Sequence, residues 1–415
     1  MIDINHRHNL LAIFNSALRA VHGRRCVHHY LSTYPVVRQP VYLVAIGKAA
    51  SAMAWGAFDA MSSHITRALV ITKVGHGDVH LCAFRPVTLL ETAHPVPDQR
   101  SLQAGAVLLS FIQDAPPEAH FMFLISGGAS SLVEVLPEGV TLAALSQMNQ
   151  WLLGSGLDIQ NINSVRKAMS CIKGGRLALS LKARTAEVLL MSDVPGNHPA
   201  DIGSGLLVAN DENAPCVSRL DMPPALRALI DKAPSAPGVD HPCFARITTR
   251  IIATNEDACH AAESHAQKLG YAVHRYGDII TGDVVDVGRV QARRLKQGAV
   301  SLYIGGGETT VHLPSVPGRG GRNQSMALVV AQEIAGCRNI VFLAAGTDGS
   351  DGPTDDAGAM VDGATLQRGQ DGGQDAATCL IQADAGTFLA ASGDLIDTGP
   401  TGTNVMDLML GLKTI

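Results

Sequence analysis

Short apolar segments rich in β-branched residues recur along this chain, and their length and composition favour buried strands over helices. The segments interpreted as strands are Tyr42–Ile46, Leu69–Thr72, Phe121–Ile125, Glu187–Met191, Arg250–Ala253, Leu302–Ile304 and Ile340–Ala344. Stretches with helical spacing lie between them. One apolar stripe runs from Leu10 to Val21, and another runs from Leu142 to Leu152 with Thr141 as its N-cap. Strands that alternate with helices predict an α/β fold with a parallel sheet covered by helices on both faces.

The chain of 415 residues is long enough for two domains. A boundary is predicted near Lys232–Pro242, because this segment is rich in Pro, Ala and Gly and lacks hydrophobic periodicity. Residues 1–240 are therefore interpreted as one α/β domain and residues 241–415 as a second, smaller one.

Charge and composition argue against several classes of partner. The chain has 32 Lys and Arg residues against 37 Asp and Glu residues, a net charge of −5, which gives no electrostatic reason to expect nucleic acid or a membrane surface as a partner. No apolar run approaches the roughly 18–20 residues that span a bilayer, and the N-terminal segment lacks the pattern of a secretory signal. The eight cysteines are scattered without the spacing of zinc ligands, as expected in a reducing compartment. We therefore expect a cytoplasmic protein, with a homo-oligomer as one alternative for its assembly state.

Polar, glycine-rich loops follow the predicted strands, at the edge where open α/β sheets bind ligands. Lys48 comes after a strand and before a helical stretch, where it could face an anion, although a solvated lysine is an equal alternative. Ser126-Gly127-Gly128, followed by Ser130, suits the close approach of an oxyanion to backbone amides; the alternative is a tight turn. The same reasoning covers Gly305–Thr310, where Glu308 could contribute a carboxylate toward a cation.

Three further segments carry candidate groups. Gly318–Gln324 reads as a glycine-rich loop before a helix, and either Arg319 or Arg322 could bind a phosphate there. The loop 346–356 concentrates carboxylates that suit Mg²⁺, although Asp and Gly also form ordinary turns. Asp193 could hold a substrate hydroxyl or accept its proton, or form an Asx-turn. Lys167 and Lys173 lie on a predicted helix and are solvated by default, although Arg166 and Lys173 could also reach an anion.

Several familiar motifs are missing from the sequence. There is no G-x-x-x-x-G-K-[ST] loop, which argues against a P-loop enzyme. A clear G-x-G-x-x-G with its later acidic residue is missing, which disfavours a nicotinamide dehydrogenase, and no G-x-S-x-G elbow indicates an α/β-hydrolase.

Ten segments, in order and spread almost from end to end, resemble one known family. They are AIGKAA (45–50), TKVGHG (72–77), TAHPVPD (92–98), LISGGASSL (124–132), NSVRKAMSCIKGGRLA (163–178), SDVPG (192–196), GGGETTV (305–311), GRGGRNQ (318–324), GTDGSDGPTDDAGAMVD (346–362) and TGPTGTNVMDL (398–408). The chain resembles the glycerate 2-kinases, some of which carry the older label of hydroxypyruvate reductase.

This resemblance implies an N-terminal Rossmann-like parallel sheet with flanking helices, a smaller C-terminal MOFRL domain, and an active site in the cleft between them. It implies ATP-dependent phosphorylation of D-glycerate at its 2-hydroxyl, with Mg²⁺. The family's catalytic lysine, aspartate and arginine fall on Lys48, Asp193 and Arg322, so the resemblance selects Arg322 over Arg319. The residues predicted to bind glycerate or ATP are Ser126, Gly127, Gly128, Ser130, Arg166, Lys173, Gly306, Gly307, Glu308, Thr309, Asn323 and Thr347, and those predicted to bind the metal are Asp348 and Asp351.

One segment departs from the family pattern. After Asp193 the family usually continues with acidic residues and an A-S-G-P-T type loop, whereas this chain reads NHPADIGSGLLV. The departure bears on substrate preference. Two alternatives to a kinase are an NAD(P)H-dependent hydroxypyruvate reductase and a non-catalytic regulator that binds a sugar phosphate through the same anion loops.

Overall fold

A computed structural model describes residues 4–35, 40–83, 86–157, 159–210 and 217–415. They form two compact units. One unit is Gly23–Ile252, and the other combines Ala253–Ile415 with the chain up to His22, which includes helix α1 (Ile4–Ala20). The predicted division into 1–240 and 241–415 differs from these units at two places. In the structure α1 belongs with Ala253–Ile415, and residues 241–252 belong with the unit that begins at Gly23.

The unit Gly23–Ile252 carries the first sheet and the helices around it. Its helices are α2 (Gly23–Thr33), α3 (Ala50–Met61), α4 (Gln99–Gln113), α5 (Ala129–Leu132), α6 (Leu142–Gly154), α7 (Ile159–Ala168), α8 (Arg176–Ser180) and α9 (Pro224–Ile230). Its strands are β1 (Val41–Ile46), β2 (Ile65–Lys73), β3 (Val87–Thr92), β4 (His120–Ile125), β5 (Thr185–Met191) and β6 (Ile247–Ala253). The predicted N-cap of α6 is confirmed, because the Thr141 hydroxyl accepts a bond from the Ala144 amide.

The first sheet has the strand order β3-β2-β1-β4-β5-β6, and its first five strands pair in parallel. The strands are added outward from β1 to β3 on one side and from β4 to β6 on the other, so the order reverses between β1 and β4. Doubly wound sheets open a crevice for ligands at such a point. Strands β1 and β4 are buried on both faces. On one face, Val44 and Phe123 share a core with Leu108 of α4 and Leu177 of α8. The predicted Rossmann-like parallel sheet is therefore confirmed.

The second unit carries a mixed sheet. Its further helices are α10 (Asn255–Lys268), α11 (Val284–Gln297), α12 (Arg322–Glu333), α13 (Thr365–Asp371), α14 (Ala376–Ile381) and α15 (Ala385–Ser392). Its strands are β7 (Val273–Arg275), β8 (Ile280–Asp283), β9 (Ser301–Thr310), β10 (Ile340–Gly346), β11 (Gly358–Asp362), β12 (Leu395–Ile396) and β13 (Asp407–Lys413).

The order of this second sheet is β12-β11-β10-β13-β9-β7, and β8 also pairs with β9. The central pairs β10–β11, β10–β13 and β13–β9 are antiparallel, so the prediction of parallel strands was wrong for this sheet. The prediction that a strand ends at Ile304 was also wrong, because β9 continues through the glycines to Thr310. A side chain at Gly305 would meet Tyr276 and Ile280, and one at Gly306 would meet Asn255, so glycine lets neighbouring elements pack flat on the strand.

Helix α1 belongs to the second unit through both apolar and charged contacts. Leu10, Ile13 and Phe14 are fully buried, as the apolar stripe predicts, and α1 packs against α10. Arg7 donates to Asp362 at 2.5 Å and to Asp394 at 2.8 Å. Within the described ranges, none of the helices combines the length and the apolar character that a membrane span needs.

Candidate active site

The loops after β1 and β4 are hydrogen-bonded to each other at the reversal point of the first sheet. The Lys48 amide donates to the Gly127 carbonyl at 2.9 Å, and the Ala49 amide donates to the Ser126 hydroxyl at 3.1 Å. Gly47 has a φ of +132°, and a Cβ there would lie 2.1 Å from the Ser126 Oγ. Only glycine allows this approach. The structure thus brings Lys48 and the Ser126–Gly128 turn together directly before α3.

Gly128 lies at the centre of this edge, with a φ of +84°. A Cβ on it would lie 2.9 Å from His94 Cδ2 and 3.3 Å from Lys48 Cγ, so both side chains pass beside this glycine. The Ser126 amide already donates to the Ile46 carbonyl. The hydrogen bonds of the described residues leave the Gly127 and Gly128 amides for an anion. His94 was not among the predicted site residues, and its position beside Lys48 adds it as a candidate.

Asp193 follows β5, the neighbour of β4, and is half-buried at the same edge of the sheet. The unusual segment after it returns to the turn after β4. The Ser204 and Ser130 hydroxyls are 2.7 Å apart, and Lys167 of α7 donates to Asp201 at 2.9 Å. These two contacts therefore attach the segment that departs from the family pattern to the candidate site.

Lys173 and Arg166 lie in different surroundings from Lys48. The prediction of a helix at Lys173 was wrong, because α7 ends at Ala168 and α8 begins at Arg176. Lys173 is buried and donates to Glu134 at 2.5 Å. Arg166 is half-buried next to Asn149, and burial lowers its pKa.

In the second unit, Arg322 is the first residue of α12 and is held by two carboxylates. Its Nε donates to Asp407 Oδ2 at 2.6 Å, and its Nη2 donates to Asp407 Oδ1 at 3.1 Å. Its Nη1 lies 2.6 Å from Glu308 Oε1. Burial alone would lower the pKa of Arg322, but the charges of Asp407 and Glu308 outweigh burial and raise it.

Asp407 is a residue of this site that sequence reasoning missed. It opens β13, where its cross-strand neighbours are Gly307 of β9 and Gly346 of β10. Its carbonyl accepts a bond from the Asn255 side chain at 3.0 Å. The sequence signal was an acidic residue at the head of the apolar run LMLGLK, which is unusual at the start of a buried strand.

Asp351 caps helix α12. Its two oxygens accept the amides of Asn323 at 3.0 Å and Gln324 at 2.7 Å, and the Asn323 side chain adds a third bond at 3.3 Å. Burial raises its pKa to about 7, against the opposing effect of the helix amides.

Two hydroxyl residues of the predicted ATP set are also buried. The Thr347 hydroxyl donates to the Met406 carbonyl at 2.6 Å and accepts the Val405 amide at 2.8 Å, so it ties β10 to the segment before β13. Thr309 is buried within β9, and its hydroxyl has no hydrogen-bond partner among the described residues. Arg319, the alternative to Arg322, is largely exposed and pairs with Asp356.

The carboxylates near Arg322 are of the type that binds magnesium in proteins. Asp351 and Asp407 already use both carboxylate oxygens, in bonds to α12 and to Arg322. Asp348 accepts the Ser350 amide and hydroxyl through Oδ1. Magnesium in kinases takes one or two carboxylates and completes its shell with substrate phosphates and water. Within the described ranges no group of three His, Cys, Asp or Glu side chains could hold a metal.

Comparisons with known proteins agree on one family. Residues 9–222 match the model described as "Domain of unknown function (DUF4147)", and residues 301–407 match the MOFRL family. A D-glycerate 2-kinase from Thermotoga maritima is 33% identical, with 97% of each chain covered. A putative hydroxypyruvate reductase from Agrobacterium vitis is 35% identical, covering 98% of this chain and 94% of that protein. The crystal structure of glycerate kinase from Thermotoga maritima superposes with a TM-score of 0.82 at 32% identity, over 99% of this chain and 100% of the other. The chain belongs to the glycerate 2-kinase family, in which a DUF4147 region precedes a MOFRL region.

Proposed function

We propose that this protein is a glycerate 2-kinase, which transfers the γ-phosphoryl group of ATP to the 2-hydroxyl of D-glycerate and releases 2-phosphoglycerate and ADP. The observation that carries the proposal is that Lys48 lies beside the Ser126–Gly128 turn, where the strand order of the first sheet reverses. A lysine charge next to unengaged amides suits an oxyanion or phosphate. Relatives named as glycerate kinases over nearly the whole chain support the same activity.

Phosphoryl transfer requires positioning and charge neutralisation more than covalent chemistry. We propose that Lys48 and Arg322 both stabilise the group in transfer. Asp193 orients the 2-hydroxyl and accepts its proton, while the Gly127 and Gly128 amides hold the glycerate carboxylate or a phosphate. Closure around both substrates excludes water and limits ATP hydrolysis.

A magnesium ion would be held by Asp348 together with the phosphates of ATP, and when bound it neutralises phosphate charge. The other proposed roles belong to side chains of this protein. Arg322 is kept in one orientation by Asp407, so it costs little to order when the nucleotide binds. We further propose a cytoplasmic enzyme whose partners are glycerate and ATP, with no nucleic-acid or membrane partner.

The test is ADP release by the purified protein with ATP and Mg²⁺, measured against a panel of short hydroxy acids. We expect D-glycerate to give the highest kcat/KM. The name of the Agrobacterium relative suggests a second activity, which the same preparation tests through NADH or NADPH oxidation with hydroxypyruvate. Reductase activity without ADP release, or binding of a phosphorylated metabolite without any turnover, would contradict the proposal.

A further inference from the structure

The second unit contains a cavity of about 560 Å³ that none of the predicted site residues lines. Helix α11, strand β8 and the segment that joins β7 to β8 form its walls. Ile280, Val287 and Val290 supply apolar surface. Pockets of this size, with a largely apolar wall and a few polar groups, are typical of sites for small organic molecules.

Gln291 lines this cavity with a side chain that is buried yet has no partner. The residue is 3% exposed, and no hydrogen bond within the described residues involves its side chain. A buried amide without partners is unfavourable and therefore rare in native proteins. An amide carries a donor and an acceptor next to each other. Gln291 therefore suits a ligand that offers the complementary pair of groups.

Arg294 adds a flat surface to the same cavity. It lies three residues after Gln291, on the same face of α11. Its guanidinium carbon is 4.7 Å from the centre of the Tyr276 ring, and in the part of the chain that the structure describes it has no carboxylate partner. A guanidinium plane also stacks on the rings of nucleobases. Because Arg294 is exposed, it can accept a second planar ring beside the first.

The charges around the cavity favour a neutral ring over a phosphate. Three aspartates line it, Asp278, Asp283 and Asp286, against two arginines, Arg275 and Arg294. These five groups have a formal net charge of −1, which opposes the entry of an anion. A heterocycle with an amino group has no charge to repel, and its N–H groups can donate to carboxylate or amide oxygens.

Strand β8 connects the cavity to the proposed phosphate-binding arginine. Thr281 lines the cavity and is the register partner of Glu308 on β9. Glu308 in turn lies 2.6 Å from Arg322 Nη1. Neighbouring strands are about 4.8 Å apart. The cavity is therefore one strand away from a residue that contacts Arg322.

We propose that this cavity binds the adenine base of ATP, with the Gln291 amide hydrogen-bonded to the edge of the base and the Arg294 guanidinium stacked on its face. A glutamine amide matches the amino group and ring nitrogen of adenine in a bidentate pair. The inference rests on the proposed kinase function and deepens it, because it names the residues that recognise the base of the nucleotide.

Photolabelling of the wild-type protein with 8-azido-ATP locates the base without any substitution. After irradiation and digestion, mass spectrometry should find the modification within residues 274–294, and excess ATP should prevent it. A modification that ATP prevents but that lies only in other peptides overturns the proposal. Labelling within 274–294 that excess ATP does not prevent overturns it as well.

Steady-state kinetics test the two side chains. Gln291→Leu removes the amide and should raise the KM for ATP by about 5- to 100-fold, with kcat within about twofold of the wild type. Arg294→Met removes the planar group and should raise the same KM by about fivefold or more. Gln297→Leu and Arg293→Met are matched controls, because both residues lie on α11 outside the cavity lining, and we expect a wild-type KM.

Two kinetic results would overturn the roles of these side chains. One is a wild-type KM for ATP in both cavity variants, each with a wild-type thermal midpoint. The other is a fall in kcat with an unchanged KM, which would make the two residues structural.

The outcomes separate this inference from the function on which it rests. If the wild-type protein releases no ADP with D-glycerate, the proposed function fails. If the wild-type protein is an active kinase but the label lies elsewhere and the cavity variants keep their KM for ATP, the function stands and the assignment of the cavity to adenine is wrong.

Discussion

Lys173→Met removes an ammonium from the interior of the Gly23–Ile252 unit and leaves the Glu134 carboxylate behind. The side chains are 4% and 2% exposed, so water compensates little of the stranded charge. Glu134 would retain the Ser170 hydroxyl at 2.6 Å, a weaker partner than a lysine. Breaking a buried pair on one side costs about 3–5 kcal/mol in the free energy of unfolding.

Tryptophan fluorescence during urea unfolding measures this loss in the right part of the molecule. The chain has two tryptophans, Trp55 and Trp151, and both lie in the Gly23–Ile252 unit. With an m-value of about 3 kcal/mol/M for a unit of this size, the urea midpoint should fall by about 1–1.7 M. The double variant Glu134→Gln/Lys173→Met removes both charges, and it should recover most of the lost stability.

The result that would refute this reasoning is specific. If Lys173→Met keeps the wild-type midpoint and instead weakens the binding of ATP or glycerate, then Lys173 is a ligand-binding residue, as the sequence analysis predicts, and the pair with Glu134 is incidental. Loss of stability without recovery in the double variant would show that packing of the lysine stem, rather than the charge pair, is what matters.

Three further predictions concern Lys48, Asp351 and Arg7. Lys48→Ala should lower kcat by about 10²–10³-fold with an unchanged circular dichroism spectrum, and near-wild-type turnover would remove Lys48 from the mechanism. Burial raises the pKa of Asp351 to about 7, so the folded state keeps a proton that the unfolded chain loses near pH 4, and the wild-type protein should lose stability relative to Asp351→Asn as the pH rises from about 4 to about 7. The difference between their thermal midpoints should then stay constant above that range, and a difference that is flat throughout would contradict this assignment. Arg7→Ala removes the charged bonds from α1 to Asp362 and Asp394 and should destabilise the second unit by about 1.5–3 kcal/mol in calorimetry, whereas Arg19→Ala, on an exposed position of the same helix, should have no measurable effect.

The first sheet could be predicted from the sequence because its signals are local. Strand β1 is an uninterrupted apolar run, and Lys48 and the Ser126–Gly128 turn come directly after strands that pair in parallel. For such a sheet, one rule about strand ends is enough to place the loops together. The N-cap of α6 was likewise readable from Thr141 and the apolar spacing after it.

What the sequence could not show depends on partners far away in the chain. Lys173 reads as a helical surface lysine until Glu134, 39 positions earlier, is seen beside it. Asp407 lies 85 positions from Arg322, so no local pattern connects them. The glycines of β9 resemble a phosphate loop, but they are extended because Tyr276, Ile280 and Asn255 pack on them. The antiparallel pairing of β10, β11 and β13 is also set by neighbours across the sheet. It therefore left no strong periodic signal in the sequence.

The most direct measurement of the central claim is the position of the phosphoryl group in the product, read by ³¹P NMR after incubation of the purified protein with ATP, Mg²⁺ and D-glycerate. The kinase mechanism proposed for Lys48, Asp193 and Arg322 requires 2-phosphoglycerate and ADP in equal amounts, and neither in the Lys48→Ala variant on the same timescale. A signal from 3-phosphoglycerate alone, or inorganic phosphate with glycerate left unchanged, would contradict it.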